Sequence, residues 1–438
     1  MHVAVIGAGI VGVTTAYELA RDGHQVTVFE RRSSVAVETS FANAGLLAPG
    51  YVAPWAAPGL LRKVIGQWTK PGQRDAAVRL AALPGPALAA WLWRCWRGCE
   101  PAAFAARRGA MLALARISLA RTRELAAELE IEYERAQGLL VLLRSEQELA
   151  QTRLGLKLLT ELEIGFHLVD AAVCRRIEPA LSEATAVRAG IHMPGADVGN
   201  CRQFALGLKA ELQRRGVEFR LSHVVQRLTP GATVAVDSLA LADDVESRLA
   251  GTARDGTARQ DRFDAVVVCA ALESALLLRP HGLVLPLQPV YGYSITLPVR
   301  HFEAHPDVGP RAALMDERYK VAISRLGDRV RVAGAAELGG APAVLAKAPI
   351  TTLHRVLQDW FPSAARHSRA QTWKGARPMT PDGPPLIGPA GAKGLWVNTG
   401  HGSSGWALAR GSARLIADAI GGRASAMDAT HFLPQRWR

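Results

Sequence analysis

The chain has 438 residues, 49% of them hydrophobic, enough for two sizeable cores and more than one domain of ordinary size. Its formal charge of +13 would suit nucleic acid, anionic lipid or acidic small molecules. Residues 60 to 110 carry +7 of that charge, in Arg62, Lys63, Lys70, Arg74, Arg79, Arg94, Arg97, Arg107 and Arg108 against Asp75 and Glu100; with no nucleic-acid motif present, a nucleic-acid partner is excluded.

In chain order, Val3 to Ile6 is a short apolar run closed by Gly7, Ile10 to Ala20 has helical spacing, and Gln25 to Glu30 alternates as a strand. This is a β-α-β unit of the kind that binds dinucleotides. The Pro, Gly and Ala-rich stretch from Pro49 to Pro58 leads into an irregular helical insertion bearing Trp68, Trp91, Trp93 and Trp96. Residues 111 to 130 are predicted helical, Tyr133 to Leu143 strand, Glu146 to Glu163 helix, Arg202 to Arg215 helix and Val217 to Leu221 strand. The polar residues 229 to 262 read as a loop or small hairpin outside the core. Ala265 to Val268 is a buried strand, and Tyr291 to Leu297, Tyr319 to Ile323 and Arg329 to Ala333 alternate as an antiparallel sheet. Leu395 to Asn398 is a last strand, followed by a glycine-rich turn and a helix from Trp406 to Ile420.

The fold class expected is therefore α/β in two domains. A Rossmann-type FAD-binding domain (1–58, 185–285 and 371–438) is interleaved with a substrate domain (59–184 and 286–370) built on a largely antiparallel sheet plus helices. The first fifteen residues hold the nucleotide fingerprint, so no cleaved signal peptide is expected. No run of about eighteen uncharged apolar residues occurs, and no membrane span is expected. The five cysteines, Cys95, Cys99, Cys174, Cys201 and Cys269, form no C-x-x-C pair; no metal site is expected, and a reducing cytoplasm fits them best.

Gly7, Gly9 and Gly12 form G-x-G-x-x-G between strand and helix, where bare backbone amides can approach a pyrophosphate at a helix N-terminus. Glu30 ends the second strand, where a carboxylate accepts from ribose hydroxyls. Arg31 follows as a further phosphate candidate, with a solvated surface arginine as the commoner reading of such a position. NAD and FAD share this fingerprint, and three other stretches bear on the choice: Glu38 to Gly45 (E-T-S-F-A-N-A-G), Gly375 to Gly383 (G-A-R-P-M-T-P-D-G) and Asn398 to Trp406 (N-T-G-H-G-S-S-G-W).

With these pieces, the run Pro49 to Gly59 and Y-K-x-A-I-x-R from Tyr319 to Arg325, the chain resembles the D-amino acid dehydrogenase small-subunit family, within the D-amino acid oxidase and glycine oxidase superfamily of FAD enzymes. The resemblance spans nearly the full length. It implies non-covalent FAD, with Gly7, Gly9, Gly12 and Glu30 on its ADP half, Ser40, Asn43, Ala44 and Gly45 beside the flavin end of the pyrophosphate, and Gly400, His401, Gly402 and Gly405 at the pyrimidine edge of the ring. Arg377 would grip the substrate carboxylate, as a planar guanidinium can through two parallel hydrogen bonds. Tyr51, Tyr291, Tyr293 and Tyr319 are candidates to cover the substrate, with Tyr291, Tyr319 and His401 joining Arg377 as the catalytic set. Where the family has A-x-G, this chain has Ala271 in place of the glycine.

The implied reaction is hydride transfer from Cα of a small D-amino acid to flavin N5, then hydrolysis of the imino acid to a 2-oxo acid and ammonia, with electrons passed to a respiratory acceptor, a quinone or carrier. Two alternatives stay open: an oxidase or dehydrogenase of glycine, sarcosine, proline or D-hydroxyproline, and a non-catalytic FAD electron-transfer subunit. Trp91 to Arg97 combines aromatics with cations, a composition that suits a surface resting in lipid headgroups and equally a helical core or a dimer contact, and these readings stay open. The expected location is cytoplasmic, and under the first of these readings peripheral on the cytoplasmic leaflet of the inner membrane.

Overall fold

The computed structural model describes residues 1–59, 77–241, 257–300 and 308–437. Trp68 and the basic residues Arg62, Lys63, Lys70 and Arg74 lie outside the described residues. In chain order the larger elements are β1 (His2–Ile6), α1 (Ile10–Arg21), β2 (Gln25–Phe29), β3 (Leu46–Leu47), β4 (Val78–Leu80), α2 (Pro86–Arg97), α3 (Pro101–Glu128), β5 (Ala136–Leu143), α4 (Glu146–Glu161), β6 (His167–Val169), α5 (Ala171–Ile177), β7 (Ala189–Val198), α6 (Cys201–Arg214), β8 (Glu218–Arg220) and β9 (His223–Thr229). There follow β10 (Val234–Ala240), β11 (Thr257–Phe263), β12 (Ala265–Val268), α7 (Ser274–Leu278), β13 (Gln288–Pro298), β14 (Ala313–Asp316), β15 (Val321–Leu326), β16 (Arg329–Leu338), α8 (Lys347–Trp360), β17 (Gln371–Met379), β18 (Leu386–Pro389), β19 (Leu395–Thr399) and α9 (Gly405–Ile420).

The first sheet runs β18-β19-β12-β1-β2-β8 and is parallel except at the β18 edge. Its middle strands are apolar at nearly every position because both faces are covered. Helices α1, α6 and α9 pack on one face, and the small antiparallel sheet β11-β10-β9 lies toward the other. The stretch 229–262 thus supplies the antiparallel pair β10 and β11, the hairpin expected, but Val234 and Val236, with Phe263 just past it, enter the core it was expected to lie outside. Residues 242–256 between them lie outside the described residues.

Chain ends meet in this sheet. Glu18 of α1, fully buried, is met by Arg414 Nη1 at 2.7 Å and Arg410 Nη1 at 2.8 Å from α9, which ties the last long helix to the first. Helix α3, whose first amides are capped by the Glu100 carboxylate, lays Met111, Leu114 and Ala115 in the same core.

The second sheet has ten strands, with the path β17-β13-β16-β15-β14-β5-β7-β3 and β4 and β6 attached to it. Strands β7 and β17, grouped with the nucleotide-binding segments by sequence order, pair inside this sheet instead. Side chains alternate across a strand, so its two faces carry different cores. One face, with Tyr293, Ile295, Val332 and Leu314, packs on α8. The other, with Val141, Met315 and Ala322, meets the loop after β2. The strand containing Ile323 starts at Val321 rather than Tyr319, because Tyr319 and Lys320 form the preceding turn and Lys320 has φ +52°.

Candidate active site

Gly7 closes β1 with φ +100°, and a Cβ there would stand 2.8 Å from the Cys269 carbonyl oxygen. At Gly12 a Cβ would lie 1.8 Å from the Gly7 carbonyl oxygen, so strand and helix approach as closely as only glycine allows. Gly9 caps α1 without a side chain, and Ser40 reaches that end, its Oγ accepting from the Ile10 amide at 3.1 Å. Glu30 stands at the end of β2, with its oxygens accepting from the Ala8 and Arg32 amides, both at 2.8 Å. Burial raises its pKa above the ordinary carboxylate value, and those two amides oppose the shift. These features fit the ADP half of a dinucleotide: a cradle that a Cβ would fill, a helix start open to phosphate, and a carboxylate at the ribose position.

Arg31 is placed differently from its expected role. Its guanidinium is bidentate on Glu38, at 2.6 and 2.8 Å, and Nη1 reaches Glu273 at 2.8 Å. Two carboxylates therefore occupy it, which leaves the helix amides to meet phosphate.

The segment from Thr39 to Gly45 crosses the second sheet as a belt. Thr39 Oγ1 donates to Ala376 O at 2.6 Å, Arg331 Nη1 donates to Asn43 O at 3.2 Å, and Ser324 Oγ donates to Ala44 O at 2.7 Å. The belt ends where the Gly45 amide donates to Asn43 Oδ1 at 2.9 Å and Gly45 takes φ +75°. Ser40, Asn43, Ala44 and Gly45 thus run from the α1 N-terminus across the face that carries Arg377.

Arg377 lies on β17 opposite Val290, partly buried, with its guanidinium over Gly292, where a Cβ would be 2.2 Å from Nη2. A bulge between β13 and β16 puts Ala335 at φ +59°, and Nη1 donates to the Ala335 carbonyl at 2.7 Å. No carboxylate pairs with Arg377 among the described residues, and burial draws its pKa down to about 10, still cationic at neutral pH.

Met379, two residues on, bridges to His401 in the turn after β19. Gly400 and Gly402 have positive φ, and a Cβ on Gly402 would strike Met379 Sδ at 2.4 Å; Gly405 then opens α9. His401 is 4% exposed, and burial lowers its pKa to about 3, so the ring is neutral. Ser412 Oγ donates to Ala409 O, so the 3.0 Å contact assigns the proton to His401 Nε2 as donor. The imidazole thereby anchors the turn on α9.

The tyrosines divide by face. Tyr291 pairs with Ala376 and Tyr293 with Lys374, so both project from the face opposite Arg377, where Lys374 Nζ sits 4.4 Å from the Tyr291 ring and Tyr293 Oη donates to Glu337 at 3.0 Å. Tyr319 packs in that same α8 core, beneath Arg355. Tyr51 alone of the four packs on the Arg377 side, its hydroxyl donating to Glu317 Oε2 at 3.1 Å. Gly292, Ser294, Ser324 and Arg331 were not singled out from sequence. The alternation in V-Y-G-Y-S-I-T-L, small or polar against large, was the available signal.

The model of the DAO family, described as FAD dependent oxidoreductase, matches residues 2–419. This chain belongs to that family. It is an FAD-dependent oxidoreductase, and FAD is the group the cradle fits. Among relatives, a D-amino acid dehydrogenase of Cereibacter sphaeroides is 40% identical, covering 100% of this chain and 95% of that protein. One of Methylobacterium nodulans is 41% identical, covering 97% and 96%. Among solved structures, glycine oxidase from Geobacillus kaustophilus superposes with a TM-score of 0.73 at 20% identity, covering 99% of this chain and 98% of that one, a likeness of the two-domain α/β fold.

Proposed function

We propose that this chain oxidatively deaminates small D-amino acids to 2-oxo acids and ammonia and passes the electrons to a respiratory acceptor. The observation that carries the reading is Arg377, a guanidinium without a carboxylate partner among the described residues, on the face crossed by the belt and two residues before Met379, which bridges to the His401 turn. Bound FAD supplies the hydride acceptor. Arg377 grips the substrate carboxylate in a fork, and the Ala335 carbonyl holds that fork in place. Gly7, Gly9, Gly12, Glu30 and Ser40 hold the ADP half, while the belt and the turn amides from Gly400 to Gly405 line the reactive end. Helix-start amides there favour negative charge, and neutral His401 adds no competing charge of its own. Full-length relatives named D-amino acid dehydrogenase support the substrate class.

The test is anaerobic mixing of the purified protein with a panel of D- and L-amino acids, glycine, sarcosine and proline, read as bleaching of the flavin absorbance. D-amino acids are expected to bleach it fastest. Arg377→Ala is expected to raise the half-saturating concentration by about 100-fold, the size of two charge-assisted hydrogen bonds. Bleaching only by glycine or sarcosine, or an unchanged half-saturation in the variant, would remove the reading.

A membrane surface for the electron acceptor is supported by α2. Trp91 and Cys95 face inward, whereas Trp93 is 53% and Trp96 56% exposed, Arg97 stacks on Trp93 at 5.1 Å, and Leu83 just before the helix is 86% exposed. Aromatics flanked by arginines suit the interfacial zone of an anionic leaflet, and peripheral attachment to the cytoplasmic leaflet follows. No helix among the described residues is long and apolar enough to cross a membrane. Salt-reversible sedimentation with phosphatidylglycerol vesicles, lost in Trp93→Ala/Trp96→Ala, is the expected result. Equal partition onto neutral vesicles would count against the basic face.

A further inference from the structure

The face of the ten-stranded sheet that carries Arg377 holds a second guanidinium, Arg331 of β16, which is only 5% exposed. Its Nε donates to Thr296 Oγ1 at 3.0 Å and its Nη1 to the Asn43 carbonyl at 3.2 Å. Among the described residues no carboxylate pairs with it. Glu134, the acid whose charge acts on it, is already bound by Arg329 Nη2 at 2.6 Å and Asn200 Nδ2 at 2.8 Å. The Cys201 thiol beside Asn43 is pushed up by burial to about 12 and is neutral, so it offers no counter-charge. On the same face Ser294 is buried with its hydroxyl lacking a partner among the described residues.

A buried cation without a counter-charge is unfavourable by itself and is retained where something else compensates it. Arg331 is covered by the belt, whose carbonyls at Asn43 and Ala44 point into the sheet to meet Arg331 and Ser324. This arrangement leaves the belt's opposite side to the cofactor, an assignment that rests on the proposed function. We propose that Arg331 is a positioning residue with an electrostatic effect: it fixes the belt, and its uncompensated charge favours the reduced, more negative form of the bound cofactor. A unit charge acting across one polypeptide segment, about 8–10 Å at an effective dielectric near 20, changes such an equilibrium by roughly twentyfold.

The experiment compares the flavin reduction potential, the FAD dissociation constant and the melting temperature of the apoprotein in Arg331→Gln, Arg331→Lys and Ser324→Ala. Arg331→Gln keeps a donor toward Asn43 and removes the charge. It is expected to shift the oxidised to reduced ratio about twentyfold toward oxidised at a given potential, roughly 40 mV for a two-electron couple, while the apoprotein melts no lower than the parent. Arg331→Lys should restore most of the potential. Ser324→Ala should weaken FAD binding several-fold with the potential unchanged. An unchanged potential in Arg331→Gln together with a lowered apoprotein melting temperature overturns the inference and leaves a purely structural arginine. If Arg331→Gln does not fold, a lysine variant with the same loss of potential as Arg331→Met overturns it equally. Failure of the parent protein to take up FAD would instead remove the cradle assignment.

Discussion

Tyr291 and Arg377 are offset by a single residue across β13 and β17: Tyr291 pairs with Ala376, so its ring leaves the sheet on the side away from the guanidinium. One step of a strand reverses the face of a side chain, and that step separates a packing tyrosine from the substrate side.

Tyr291→Phe and Tyr319→Phe are therefore expected to change kcat/KM by less than about threefold, because neither hydroxyl is on the face with Arg377. Steady-state kinetics with the preferred D-amino acid checks this. A fall of 30-fold or more, on the order of a lost transition-state contact, would place the tyrosine in the site after all.

Ala271 has φ +49°, in the left-handed region where a Cβ is unfavourable, and its carbonyl accepts from Thr399 Oγ1 at 3.1 Å, which holds that conformation. Ala271→Gly should stabilise the protein by about 1 kcal/mol, seen as a melting temperature raised by about 1–2 °C. Ala270→Gly, at φ −84°, should destabilise by about 0.5–1 kcal/mol, so the pair separates strain relief from a general effect of glycine.

Gly12→Ala should yield protein that loses FAD on gel filtration, since the new Cβ would stand 1.8 Å from the Gly7 carbonyl and force β1 and α1 apart. The matched control is Gly109→Ala, on α3 with nothing near its Cβ, which should retain the parent's flavin content. Equal flavin content in both variants would show that the close approach is dispensable.

His401 carries a pH dependence of definite sign. Buried and neutral, with its pKa drawn down to about 3, it binds fewer protons folded than unfolded between about pH 6.5 and 3. Its contribution is complete above about pH 6.5 and is lost progressively as pH falls, by about 2 kcal/mol at pH 5. His401→Asn should flatten the fall of the unfolding free energy between pH 7 and 5, measured by denaturant titration. An unchanged slope would mean that other buried histidines dominate.

Much of the cofactor cradle was legible in the chain because it is local. The glycines, the helix they start and the carboxylate at the end of β2 sit within thirty residues, so backbone geometry alone relates them. Arg377 was legible through its motif and the rigid prolines around it. The ion pairs of Arg31 were not legible for a physical reason: Glu38 lies seven residues away and Glu273 far along the chain, and only folding brings both onto it.

Short-range pattern sets the β-α-β cradle, the alternation that makes β13 and β16 strands and the chemistry available at residue 377, since periodicity and glycine sterics act over short separations. Long-range pairing sets which tyrosines share a face with Arg377, that β7 and β17 join the second sheet, and that Arg331 is buried with no carboxylate paired to it among the described residues. Those outcomes depend on register, on a one-residue bulge at Ala335 and on contacts between residues hundreds of positions apart, which no local pattern encodes.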